Sequence, residues 1–379
     1  MSSKFAERLA VAVGEDSKDA GIAVEAVYRP GGGKVMPPSF PEGPYLLEPR
    51  WVDGEERRVV VLDQVPSQAN RVEEALLAAR DEGRIELPLF ELRAATSRGP
   101  LRLTSLQFPH RYADAYLRDS TVDGERFDRS APGRRLRQAS MEDARPLYER
   151  DPGSLVFGAW DSHRQGRWPK FARVYASSIA GLDPKEGKRR GGRMDPSNLS
   201  GGIDDKANAE GDWAYEPGGA RDFPREKRLS VIGHGNIAPS EVHGGVTISE
   251  ARRSGWLSLA GLGRLRFGDA PPEAARLARA CLAALALAGD RLAFGRPSVW
   301  LRSGCDLVRV SEELAFEQDG GGREPWDLTA ADAIAAFHEL RDKAAAAGVI
   351  MSADTIVLEP IRSLAQAIEY SLTKAAGEE

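Results

Sequence analysis

The sequence predicts an α+β or α/β layer fold with a large loop insertion in its middle. Three observations carry this. Segments of strand and helix character alternate at both ends of the chain, residues 274–287 are apolar nearly all round and so need a layer to lie against, and residues 181–228 follow neither a helical nor a strand period.

Taken in order, residues 21–29 alternate well enough for a strand, and the proline-rich run at 37–41 forces a loop. Val59-Val60-Val61-Leu62 reads as a second, continuous apolar strand. It feeds the turn Ser67-Gln68-Ala69-Asn70-Arg71, where Ser67 can cap a helix whose Val72, Leu76 and Leu77 share one face. Residues 87–92 read as a strand, 140–150 as a short helix, and 154–160 as a buried strand ending at Asp161. Gly, Pro, Asp, Asn and cations dominate 181–228, which reads as a long, flexible basic insertion. Order resumes at 229–232, and Gly244-Gly245 precede a strand over 246–248. Pro272 opens the buried helix, followed by a strand at 298–301, a helix over 329–347 capped by Thr329, a strand at 355–358 and a last helix over 363–375.

The 379 residues are 41% hydrophobic and 29% charged with a net charge of −5, the balance of a globular rather than a disordered chain. Gly and Pro number 39 and 24, above the ordinary share, which fits long loops between packed elements. The apolar run 281–288 is far short of the ~20 residues that cross a bilayer, so no membrane span is expected. The N-terminus lacks the apolar core and cleavage site of a signal peptide, which makes the cytoplasm the expected location. Two cysteines, Cys281 and Cys305, are too few for a disulfide framework and read as small buried hydrophobes.

Charge is unevenly spread. Residues 162–193 hold nine basic and two acidic side chains, and residues 126–137 hold five arginines and one Asp, so the rest of the chain sums to −16. An acidic chain that gathers its cations in Gly-containing segments is suited to touching a polyanion on one face. A solvated loop with incidental arginines reads equally well.

Several motifs point away from cofactors. Gly31-Gly32-Gly33-Lys34 resembles a phosphate loop but has Tyr28 where Gly is needed and Val35 where Ser or Thr is needed. Gly261-Leu262-Gly263 lacks the third glycine of a dinucleotide fingerprint. Asp161-Ser162-His163 holds the residue types of a hydrolase triad, yet sequence neighbours point apart. His234 and His243 have no nearby Cys or paired carboxylates to make a zinc site. The expectation is no cofactor, no metal and no catalytic residue. What stands out is the stretch 155–178, which brings Trp160, His163, Lys170, Phe171, Arg173, Ser177 and Ser178 together, a mixture suited to phosphate, sugar and base contacts. Core packing of Trp160 and Phe171 is the competing reading.

Four segments in order resemble a known family: the turn from Ser67 to Glu73, Val156-Phe157-Gly158-Ala159-Trp160-Asp161-Ser162-His163, Ile232-Gly233-His234-Gly235-Asn236-Ile237, and Leu257-Ser258-Leu259 with Leu265-Arg266-Phe267-Gly268. Together they are similar to the backbone subunit of type I-G (formerly I-U) CRISPR Cascade effector complexes, of the RAMP superfamily. The resemblance implies one RAMP-type domain over 1–379, with a ferredoxin-like (RRM-like) palm carrying thumb and finger insertions, one of them 181–228. It also implies binding of the guide RNA (crRNA), stacking of further copies in a helical filament, pairing of the guide with target DNA, and contacts with other Cascade subunits. Gln68, Asn70, Arg71, His163, Lys170 and Arg173 are then expected near guide phosphates, and the basic windows add Arg164, Lys188, Arg189, Arg190, Arg134 and Arg135. Ser177-Ser178 run into Ile179-Ala180-Gly181-Leu182 rather than into a cationic helix, which departs from the pattern of other type I subfamilies. The alternative is a metal-dependent ribonuclease using a loop aspartate, for which Asp183, Asp195, Asp204 and Asp205 are the candidates.

Overall fold

The computed structural model describes residues 2–40, 43, 45–161, 169–204, 213–219 and 221–377. The chain opens with α1 (Ser2–Ala12), β1 (Asp19–Pro30), β2 (Leu47–Val52), β3 (Glu55–Asp63) and α2 (Val65–Asp81). A second group comprises β4 (Leu89–Thr96), β5 (Gly99–Thr104), α3 (Ala115–Arg118), β6 (Ser120–Val122), β7 (Glu125–Arg126), α4 (Ala131–Leu136), α5 (Arg145–Arg150) and α6 (Pro152–Phe157). The middle holds β8 (Tyr175–Leu182), β9 (Lys185–Arg193), β10 (Gly202–Asp204), β11 (Ala214–Glu216), β12 (Ile237–Thr247) and β13 (Ala251–Ser258). The last third runs α7 (Leu259–Gly263), α8 (Pro272–Phe294), β14 (Ser298–Arg302), β15 (Cys305–Gln318), β16 (Arg323–Pro325), α9 (Ala330–Ala346), β17 (Thr355–Pro360) and α10 (Arg362–Gly377).

The fold is α+β. Its main sheet has the antiparallel order β14-β15-β1-β13-β8-β3-β2, with β16 added on β15. Numbered along the chain, β1, β8, β13 and β15 stand in the spatial order 4-1-3-2, with α2 between the first two and α8 between the last two. That is the ferredoxin-like arrangement, widened at one edge by β3 and β2. Ile22, Val24, Ala26 and Tyr28 of β1 alternate onto the buried face. α8 packs against α2, α9 and α1, and this enclosure explains why its sequence is apolar nearly all round. A second sheet, β5-β4-β17-β6-β7, stands beside α3 to α6, with β17 parallel to β4.

From the main sheet projects an arm. β9 and β12 form a two-stranded ribbon anchored at its base by a bridge between Val246 and Val35, and beyond it lie the β10-β11 hairpin and 3-10 turns at Arg225–Lys227 and Leu229–Ile232. A bulge at the arm's base, between His243 and Val246, contains Gly245 at φ +79°, a conformation that a side chain would strain.

Four sequence expectations change. Residues 152–157 form α6, not a strand: Pro152 sits in the first turn and the Asp151 carboxylate accepts from the Ser154 N–H, while an apolar run buried all round carries no period to tell the two apart. The helix expected over 140–150 spans only α5. Ser67 is not a cap, because α2 begins at Val65 and the Ser67 hydroxyl donates to Asp63 Oδ1 at 2.7 Å. The stretch beginning at 181, expected to lack strand character, contains the end of β8 and all of β9, because cross-strand pairing with β12 supplies the order that apolar alternation does not. Cys281 and Cys305 are buried and free, and no helix among the described residues is long and apolar enough to cross a membrane.

Candidate nucleic-acid interface

The loop between α6 and β8 is pinned at its base. Gly158, at φ +79°, brings the chain so close to the returning strand that a Cβ there would lie 2.8 Å from the Arg173 nitrogen. Ala159 and Phe171 exchange backbone hydrogen bonds of 3.0 and 3.1 Å, and Val174 N–H donates to the Val156 carbonyl at 2.9 Å. Arg111 ties the loop to α2: Nη1 donates to the Gly158 carbonyl at 2.7 Å, while Nε and Nη2 grip the buried Glu73 carboxylate. Beside Glu73 lies the buried Asp151, whose carboxyl is also raised by burial. On this base stand exposed groups. Trp160 is 54% exposed with Lys170 Nζ 5.2 Å above its ring, whereas Phe171 is buried. Arg173 is exposed, yet enough protein crowds its guanidinium for burial to lower its pKa, with the like charge of Arg111 second. A guanidinium does not deprotonate near neutral pH, so Arg173 is a cation whose environment favours an arriving anion. His163 and Arg164 lie outside the described residues.

The start of α2 is arranged differently from expectation. Gln68 is buried, its amide donating to Asp63 and its carbonyl accepting from Ser177 and Arg253, so its place in a phosphate site is corrected to the protein interior. Arg71 is likewise engaged inward: Nε donates to Asp63 Oδ2 at 2.9 Å and Nη2 to the Leu301 carbonyl at 2.8 Å, joining α2 to β14. Asn70 alone of the three faces solvent.

The arm carries the other basic residues. Lys188 stands opposite His243, Arg189 opposite Val242 and Arg190 opposite Glu241 in β12. Side chains alternate, so Lys188 and Arg190 share one face and Arg189 takes the other. Lys188 pairs with Glu241 at 2.7 Å, but Arg189 and Arg190 are exposed and form no ion pair among the described residues. The two acids of this basic window are themselves engaged, Glu186 with Arg58 at 3.7 Å and Asp183 with Arg57.

Residues 22–186 match the family described as CRISPR-associated protein GSU0053. Over these residues, less than half of the chain, the sequence is similar to CRISPR-associated proteins. The match spans β1 to the start of β9 and so includes β1, α2 and β8 of the palm and the pinned loop, while β13, α8, β15 and most of the arm lie beyond it. No curated protein matches the chain.

On two other surfaces most of the charges are paired within the chain. Four of the five arginines at 126–137 are held by intramolecular pairs, with Arg129 left exposed: Arg126 lies 3.7 Å from Asp119, Arg134 donates to the Arg129 carbonyl and lies 3.7 Å from Glu125, Arg135 pairs with Glu149 at 2.8 Å, and Arg137 with Asp128 at 2.8 Å. Arg134 and Arg135, expected at a phosphate site, are therefore bound within α4's surroundings, their charges answered by acids that sequence distance concealed. On the outer face of the main sheet a cavity of about 720 Å³ opens beside Trp51, Arg252, Glu25 and Glu313, but Arg252 pairs with Asp53 and Glu250, and Arg323 pairs with Glu25 and Glu313. Arg111 and Glu73, the clamp beneath the loop, drew no attention in the sequence because they stand 38 residues apart.

Proposed function

We propose that this protein is the guide-RNA-binding backbone subunit of a type I-G (I-U) CRISPR effector complex, with several copies lying along one guide and presenting it for pairing with target DNA. Lys170, Arg173, Arg189 and Arg190 carry the reading: among the described residues they form no ion pair, whereas the acids beside them are engaged elsewhere. Exposed cations beside an exposed indole suit the phosphates and bases of a single strand. The CRISPR-associated match and the ferredoxin-like strand order support it.

The subunit on this reading is not a nuclease. Asp183 is engaged by Arg57 and by the Ser249 hydroxyl at 2.8 Å, and the Asp195 carboxylate accepts backbone N–H groups of Gly235, Ser197 and Leu199. Asp204 is exposed on β10, and Asp205 lies outside the described residues. Purification from cells that carry a CRISPR array should yield the protein with a discrete RNA of defined length. Recovery of an RNA-free monomer at low salt overturns the proposal, and regular cleavage of matched RNA in Mg²⁺ replaces it with the ribonuclease.

A further inference from the structure

We propose that the end of the arm holds a second strand-binding cleft, which takes single-stranded nucleic acid and is separate from the loop at Lys170 and Arg173. The inference rests on the reading of the protein as a nucleic-acid-binding CRISPR subunit. A cavity of about 690 Å³ lies where β9 and β12 meet the tip, and Arg193, Arg221, Arg225 and Arg228 line it with no Asp or Glu among its described lining. Met194 and Val231 add exposed apolar surface, 89% and 58% accessible.

The four charges are not cancelled locally. Arg193 donates to the carbonyls of His234 at 2.7 Å and Gly235 at 3.1 Å, and Arg228 to the Phe223 carbonyl at 3.1 Å, bonds that orient the guanidinium groups and leave their charge. Arg221 and Arg225 are exposed and form no ion pair among the described residues. The neighbouring Asp195 is committed to backbone N–H groups of its own loop, at 2.8 Å from Gly235 and 2.9 Å from Ser197. Arginine walls around an apolar floor match a ligand with regularly spaced phosphates and flat, unpaired bases. A duplex hides those faces, so the occupant is a single strand.

The test titrates fluorescein-labelled oligo-dT, unrelated to any guide, into the purified protein and into Arg221→Ala/Arg225→Ala. The variant should bind about tenfold more weakly, and the log–log salt slope should flatten by ~1.4, at ~0.7 per lost phosphate contact. Its copurified RNA should equal the parent's. Parent-like binding of oligo-dT by the variant overturns the cleft, as does equal displacement of the probe by polyglutamate, which would make the site a dock for an acidic protein. If the protein purifies without RNA, the guide-binding reading fails by itself. Oligo-dT binding by that RNA-free protein, lost in Arg221→Ala/Arg225→Ala and kept in Lys170→Ala/Arg173→Ala, would still sustain the cleft.

Discussion

The Arg111 guanidinium grips the buried Glu73 carboxylate through two hydrogen bonds, Nε to Oε1 at 2.6 Å and Nη2 to Oε2 at 2.8 Å. Burial is nevertheless the larger influence and pushes the Glu73 carboxyl up to about 7, with Asp151 adding to the rise and Arg111 and Arg173 opposing it. A carboxyl raised in the folded state keeps a proton that the unfolded chain has already released, so stability falls as pH rises from about 4.5 to about 7. The group's share is roughly 3 kcal/mol at ~1.4 kcal/mol per pH unit. Asp151 slopes the same way, and His338, whose pKa burial lowers, slopes oppositely, so the comparison must be with Glu73→Gln. Urea unfolding between about pH 5 and pH 8 should show a steeper decline in the parent than in that variant. Parallel curves would show that Glu73 does not titrate in this range.

Arg71 predicts a stability effect. Asp63 is 1% exposed, and removing the Arg71 guanidinium leaves its carboxylate with Ser67, Gln68 and a distant Arg302 at 3.7 Å. Arg71→Ala should therefore cost ~1–3 kcal/mol of folding free energy, with RNA affinity per folded molecule unchanged. Weaker RNA binding at unaltered Tm would return Arg71 to the interface.

The ferredoxin-like core was readable where period and burial agree. The strand expected at 21–29, the helix opened by Pro272 and the helix capped by Thr329 stand close to where pattern and capping residues place them. β15 and α1 gave no clear pattern: in β15 the alternation breaks at Leu307-Val308, at Ser311-Glu312-Glu313 and at Leu314-Ala315-Phe316, and α1 is a short helix of 11 residues. The arm's strand character was hidden because Lys185 to Arg193 has no apolar residue to alternate, so only its pairing partner, some fifty residues on, reveals it. Charge counts drew Lys170 and Arg173, both solvent-facing, together with Arg134 and Arg135, whose charges acids within the fold answer. Nothing in a linear window shows that Glu149 lies beside Arg135.

Salt dependence separates phosphate contact from packing at the loop. Lys170→Ala/Arg173→Ala removes two exposed cations without opening the core, so thermal stability should hold while RNA affinity falls for all sequences alike. The slope of log affinity against log salt should flatten by ~1.4. An unchanged slope moves the phosphates elsewhere.

Proteolysis reads the arm. Arg189 and Arg190 lie on a two-stranded ribbon exposed along most of both strands, which a partner can order further on binding. Trypsin should cut after them in the RNA-free protein and more slowly in the RNA-bound assembly. Equal rates would leave the arm outside the interface.

Trp160 is the sharpest test of base contact. Its neighbour Ala159 is fixed by the two backbone hydrogen bonds to Phe171, Arg111 holds Gly158 from the other side, and the indole itself projects into solvent with Lys170 over its ring. An exposed indole contributes little to the core, so Trp160→Ala should leave Tm within a degree or so of the parent. Stacking on one base is worth ~1–3 kcal/mol, so the same variant should lose on the order of tenfold to a hundredfold in RNA affinity. Trp160→Phe keeps an aromatic face and should recover most of that loss, whereas a charge-only contact through Lys170 would treat the two variants alike. A Trp160→Ala protein that melts earlier yet binds RNA like the parent would make the indole a packing residue and leave recognition to the cations.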